Sequence, residues 1–226
     1  HYMGTANPVF VAPVVEPEAT TIKIGFLNDA TGPIAQFAAP FTYAWTQAQA
    51  DLNAMGDDYV FEIVEADSGC DGTVAQTAAQ TLVDSGVVAV AGAACSGASM
   101  GANAVLSAAG IPMISYASTS PALSSDTDHP HFYRIVPSDA LQGQAAADMI
   151  AASGVNNTAV IHMTNAYGAG LADAVVANLG AENVCLQAGY EETATDFQAA
   201  VQSVIDAGCD SAFLGSYSVD GAMIVE

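Results

Sequence analysis

Basic residues are nearly missing from this chain: 226 residues carry 2 Lys+Arg against 24 Asp+Glu, a formal charge of −22. Nucleic acids and anionic membrane surfaces are bound through basic patches, so both are excluded as partners. Charge of either sign is scarce, at 12% of residues, where an average globular domain has about 25%. Long apolar runs are missing as well; none approaches the ~18 residues of a membrane helix, so direct membrane insertion is not expected. Enzyme and cofactor signatures are also lacking. No GxGxxG follows the first apolar run, and there is no Walker A, HExxH, GxSxG or CxxC. No cofactor and no metal is therefore expected. Asp126, Asp128, His129 and His131 lie in a Pro-flanked loop without the helical spacing that would converge them.

What is present is a core: hydrophobic residues make up 52%, so the acid excess does not mark a disordered tail. The acids are scattered, as at Asp57, Asp58, Asp84, Asp148, Asp173 and Asp206, with no dominant cluster. That pattern reads as a solvated acidic surface suited to salt rather than a field for capturing cations. Residues 1–20 read as a linker or tag remnant, punctuated by Pro8, Pro13 and Pro17, with His1-Tyr2-Met3 resembling an expression scar. No charged segment followed by an apolar one is visible, so any signal peptide has been removed.

From residue 21 short apolar runs alternate with Ala-rich helical segments. The runs are Ile22–Leu27, Tyr59–Ala66, Val87–Gly92, Ile111–Ser115, Thr158–Met163, Asn183–Ala188 and Ser211–Leu214. Gly56, Gly86, Gly110, Gly154, Gly180 and Gly208 stand where the intervening helices should stop. Continuous apolar runs between helices predict strands buried on both faces of a parallel sheet, hence a doubly wound α/β fold. The alternation pauses between Tyr116 and Pro137, predicting two α/β lobes, 21–137 and 138–226, with Phe132–Ile135 as a short strand crossing between them. Three strands are too few to close the second lobe, so the chain reads as a fragment.

Four cysteines, Cys70, Cys95, Cys185 and Cys209, lie in two pairs separated by 25 and 24 residues. They predict two disulfides and an oxidising compartment, with three connectivities open. Cys70 and Cys95 follow strands at the same end of the sheet, where ligands bind in open α/β folds. A bridge there would pin the loop carrying Ser96. Ser96 and Thr119 then read either as a cap and a turn residue or as hydroxyls beside a helix N-terminus that receives a small carboxylate. Tyr167 and Tyr217 follow strands of the second lobe and read either as edge residues or as the wall of an apolar pocket. Arg134 is expected to pair with a buried acid at the lobe junction. An enzyme with Ser96 as nucleophile lacks a base, since no His lies near the strand ends of the first lobe.

Several segments together resemble a known family. They are Thr31-Gly32-Pro33-Ile34-Ala35-Gln36-Phe37, Asp67-Ser68-Gly69-Cys70-Asp71, Cys95-Ser96, Pro112–Ser115 through Thr119 and Leu123, Phe132-Tyr133-Arg134, Pro137-Ser138-Asp139 with Gln142-Gly143, and Tyr167–Leu171. The set, over 21–226, is similar to the periplasmic substrate-binding proteins of branched-chain amino acid ABC transporters, the leucine/isoleucine/valine-binding type. The resemblance implies a two-lobed type I periplasmic binding fold that closes on its ligand, is not an enzyme, and delivers an amino acid to a transporter permease. It implies that Ser96 and Thr119 hold the ligand α-carboxylate, that the Ala117 carbonyl meets the α-ammonium, and that Tyr167, Tyr217 and Phe37 surround the rest. The family acid that meets the ammonium would lie beyond residue 226. The family disulfide maps onto Cys70 and Cys95; a Cys185–Cys209 bridge rests on the strand reading alone. A periplasmic or extracytoplasmic location follows, compatible with a lipid anchor before processing. A sensor or receptor domain of the same fold, binding a small amide or carboxylate, is the other function implied.

Overall fold

The computed structural model describes residues 19–56 and 58–226. The three prolines of the expected linker lie outside the described residues, as does Asp57. Two parallel sheets are formed, one of five strands and one of three. In the first, β1 (Thr20–Asn28) lies between β2 (Tyr59–Asp67) and β3 (Ala89–Ala91), followed by β4 (Met113–Ser115) and β5 (Phe132–Arg134). In the second, β6 (Thr158–Met163) lies between β7 (Val184–Tyr190) and β8 (Ser211–Gly215). The helices are α1 (Ala38–Ala54), α2 (Gly72–Asp84) and α3 (Ser96–Ala108) on the first sheet. On the second they are α4 (Asp139–Ser153), α5 (Ala166–Leu179), α6 (Gln198–Asp206) and α7 (Ser218–Val225).

Local chemistry explains the boundaries. Asp71 caps α2 by accepting from the Thr73 and Val74 amides, and Asn165 caps α5 by accepting from Gly168 N at 2.9 Å. Gly86, Gly110, Gly154, Gly180 and Gly208 adopt positive φ after helices, a conformation a Cβ disfavours. Gly56 is not among these; α1 instead ends at Met55 in right-handed geometry. Pro112 has no N–H for the ladder, and β4 begins at Met113, two residues later than the apolar run from Ile111 suggests.

Two expectations are corrected. Phe132–Arg134 does not cross between lobes: it is the edge strand of the first sheet, with Met113 opposite Phe132. Nor are all strands covered on both faces. β6 is buried along its whole length. In the first sheet Val90, Met113 and Phe132 face the core beneath α2 and α3, but Ile114, Tyr133 and Val88 are exposed. The reason is coverage: on that other face α1 lies against β1 and β2.

Small residues let the helices pack closely. A Cβ on Gly101 of α3 would collide with the Gly72 backbone of α2. One on Gly143 of α4 would lie 2.6 Å from Ala174 Cβ of α5. The Ala- and Gly-rich composition is thus a packing device as well as a helix-forming one.

Candidate functional site: a cleft at the carboxyl ends of both sheets

Both predicted disulfides are formed, Cys70–Cys95 with 5.2 Å and Cys185–Cys209 with 5.8 Å between Cα atoms. The first joins the loops after β2 and β3. Beside it, Asp29 is fully buried and draws three segments together. It accepts from Ser68 Oγ at 2.5 Å, Ala94 N at 3.1 Å and Tyr116 Oη at 3.4 Å. Burial raises its pKa, outweighing those hydrogen bonds, which favour the charged form. Asp67 behaves oppositely. Burial works against its charge, but the Thr31 hydroxyl at 2.7 Å and the Gly69, Thr31 and Ala30 amides outweigh it and lower its pKa. That carboxylate holds the Thr31-Gly32-Pro33 turn in place.

The cysteines of the first bridge lie close to Asp29, but as a disulfide they are not thiolate ligands. Asp128, in the loop holding the remaining acids and histidines, accepts from Ser125 Oγ at 2.7 Å.

Ser96 is the first residue of α3 and is buried. It is not the N-cap: Cys95 holds that position, and Ser96 Oγ accepts from Ser120 N at 3.2 Å. Its own proton is left to donate. Helical bonding in α3 starts with Ser99 N to Cys95 O at 2.9 Å, so the first amides of the helix point toward the same place.

All six predicted ligand residues line one cavity of about 440 Å³: Phe37, Ser96, Ala117 and Thr119 from beyond the first sheet's strands, Tyr167 and Tyr217 from beyond the second's. The two tyrosine rings stack at 5.5 Å with 2° between planes. Burial raises the pKa of both. Tyr217 Oη lies 3.5 Å from Cys70 Sγ, and Gln36 Nε2 donates to Ser218 Oγ at 3.2 Å. These two contacts join segments of the two sheets.

Sequence reasoning missed further lining residues, Ile34, Phe41, Ala94 and Gln142. Phe41 stands four residues after Phe37 and so shares its side of the chain as it enters α1, a signal that helical spacing carries. The expected ion pair of Arg134 is not formed among the described residues. Its guanidinium donates to Ser120 O at 2.9 Å and Ser124 Oγ at 2.6 Å, bracing the loop that carries Thr119. The nearby acid, Asp139, is fully buried with neither carboxyl oxygen hydrogen-bonded. Burial raises its pKa against the opposing influence of Thr119 and Arg134.

This arrangement can be set beside known proteins. Residues 40–214 match the family described as receptor family ligand binding region. The chain belongs to that family. Within it, the chain is 31% identical over 210 residues to a Pseudomonas aeruginosa amino acid binding protein, covering 90% of this chain and 56% of that one. It is 30% identical over 212 residues to the Leu/Ile/Val-binding protein of Escherichia coli K12, covering 92% and 58%. It superposes on the Streptococcus pneumoniae branched-chain amino acid transporter substrate binding protein LivJ, solved with isoleucine. There the TM-score is 0.76 and the identity 26%, covering 86% of this chain and 57% of that one. The chain thus spans a little over half the length of these relatives and has the type I periplasmic binding fold over that span. Among the described residues no helix is long and apolar enough to cross a membrane.

Proposed function

We propose that this chain is the ligand-binding part of an extracytoplasmic solute-binding protein that takes an amino acid, or a related small carboxylate, and presents it to an ABC transporter permease. Its lobes are 21–137 and 138–226, and the ligand lies between them. One observation carries the reading: a single cavity is lined from both sheets, with a hydroxyl-bearing helix N-terminus on one side and aromatic rings around it. The ligand carboxylate meets the first amides of α3 with the Ser96 and Thr119 hydroxyls, because Lys23 and Arg134 are engaged elsewhere. The Ala117 carbonyl takes the ammonium. Ligand binding favours the closed arrangement through its contacts with both sides. The names of the relatives support this reading, and the two disulfides fit an oxidising compartment. The role is binding without chemistry, a reading supported by the names of the relatives.

A thermal-shift panel of amino acids, small amides and short carboxylates on the intact protein tests it. Saturating ligand raises Tm through mass action. Ser96→Ala lowers affinity, read on the folded variant; by stranding the Ser120 amide that Ser96 Oγ accepts from, it also costs about 1–3 kcal/mol of unliganded stability. No shift with any member of the panel refutes the proposal. The family description as a receptor region favours a second reading, a sensor domain with the same ligand site. Neighbouring permease and ATPase genes support the first; a neighbouring kinase or regulator gene supports the second.

A further inference from the structure

The apolar side of the cleft is a connected array of rings. Trp45 of α1 lies 5.2 Å from Phe26 of β1, and Phe26 lies 6.2 Å from Tyr116. Tyr116 lies 4.9 Å from Phe41, and Phe41 lies 6.2 Å from Phe37 at the rim. Each pair falls in the range where aromatic rings attract through their quadrupoles. The inner end is fixed: Phe26 is fully buried and the Tyr116 hydroxyl donates to Leu27 O at 3.1 Å. Phe41 and Phe37 therefore line the cavity as a wall braced from behind, not as loose side chains that re-pack around whatever enters. The stacked Tyr167–Tyr217 pair lines the same cavity from the second sheet.

We propose that this cleft selects a ligand whose carboxylate is joined to a flat aromatic ring, in preference to a branched aliphatic one. The inference rests on the carboxylate-binding reading above and narrows its substrate class. A ring gains edge-to-face or offset contacts with braced aromatic neighbours beyond what burying its area provides, and it freezes few torsions in doing so. A branched aliphatic chain gains the burial alone. Phe41 and Phe37 are the specificity-determining residues.

The test is calorimetric titration of the intact protein with four probes: L-phenylalanine, benzoate, L-leucine and L-isoleucine. At least one ring-bearing probe binds about tenfold more tightly than leucine and isoleucine. Phe37→Leu, at an exposed rim position, and Phe41→Leu each shrink that ratio toward one by weakening the ring-bearing probe. Should Phe41→Leu unfold, Phe37→Leu decides alone. Binding of phenylalanine but not benzoate identifies an amino acid ligand; binding of benzoate but not phenylalanine identifies an aryl carboxylate. Either supports the proposal. Leucine or isoleucine binding as tightly as both ring-bearing probes overturns it and leaves the binding function standing, as does an unchanged ratio in the variants. Silence of all four probes, with another amino acid or small carboxylate active in the thermal-shift panel, overturns the ring preference alone. Silence throughout that panel overturns the binding function as well.

Discussion

Replacing Asp29 by alanine is the sharpest test of how the cleft is held together. The carboxylate is fully buried and accepts from one backbone amide and two hydroxyls on three separate segments. The hydroxyls can turn elsewhere. Tyr116 already has Leu27 O at 3.1 Å, closer than Asp29, and the Ser68 hydroxyl can rotate. The Ala94 amide cannot. Stranding that donor costs about 1–3 kcal/mol, and the lost charge-assisted bond to Ser68 adds about 1.5–3 kcal/mol. The sum for Asp29→Ala is about 2.5–6 kcal/mol, or on the order of 10 °C in Tm for a chain of this length. Asp29→Asn keeps one oxygen for the Ala94 amide and lets the Ser68 oxygen accept from its new NH₂, so it costs about 1–2 kcal/mol. Urea unfolding followed by circular dichroism measures both. If Asp29→Ala unfolds within 1 kcal/mol of wild type by that assay, the account of Asp29 as the tie between the three loops is wrong.

Asp139 supplies a pH signature. Its folded pKa lies above its unfolded value of about 3.8, so the folded chain holds the proton longer. Stability therefore falls as pH rises from there through the folded pKa and is level above it. Asp139→Asn removes that share of the fall, and matching pH profiles for variant and wild type would count against it. Gly101→Ala forces α3 from the Gly72 backbone and costs about 1–3 kcal/mol. Gly97→Ala, on the same helix with no atom within 4 Å of the new Cβ, ranges from neutral to about 1 kcal/mol stabilising. Paired melting curves test the contrast. Cys185→Ser with Cys209→Ser opens a loop with a sequence separation of 24 and destabilises by about 3 kcal/mol. An unchanged denaturation midpoint in the double variant would contradict that.

The strands were legible because apolar runs such as those around Val90 and Ile161 stand between glycines, Gly86 and Gly92 for the first and Gly154 and Gly168 for the second. The six residues expected at the site could be placed at one cavity because each stands just beyond a run or near a helix start, where parallel topology gathers loops at one sheet end. What was hidden depends on neighbours far along the chain. Only its spacing of four from Phe37 sets Phe41, which faces the cavity, apart from Tyr43, which faces solvent. Arg134 looked like half of an ion pair, but loop carbonyls already lay within its reach. Phe132–Ile135 looked like a crossing because so short a strand has no periodicity to reveal which neighbour it joins. The uncovered face of β4 and β5 was equally invisible, since an apolar run looks the same with one layer over it as with two.

That uncovered face bears on the colloidal behaviour of the chain. Ile114, Tyr133 and Ile135 form an exposed apolar strip along β4 and the edge strand β5, the kind of surface through which sheets associate. At neutral pH molecules bearing 22 negative charges in excess keep one another apart. Acidification toward about pH 4 removes most of that repulsion as carboxylates take up protons, and concentrated salt screens it to within a few ångströms. The acid excess thus also guards against self-association, and light scattering should rise first where the charge fades rather than where the fold melts.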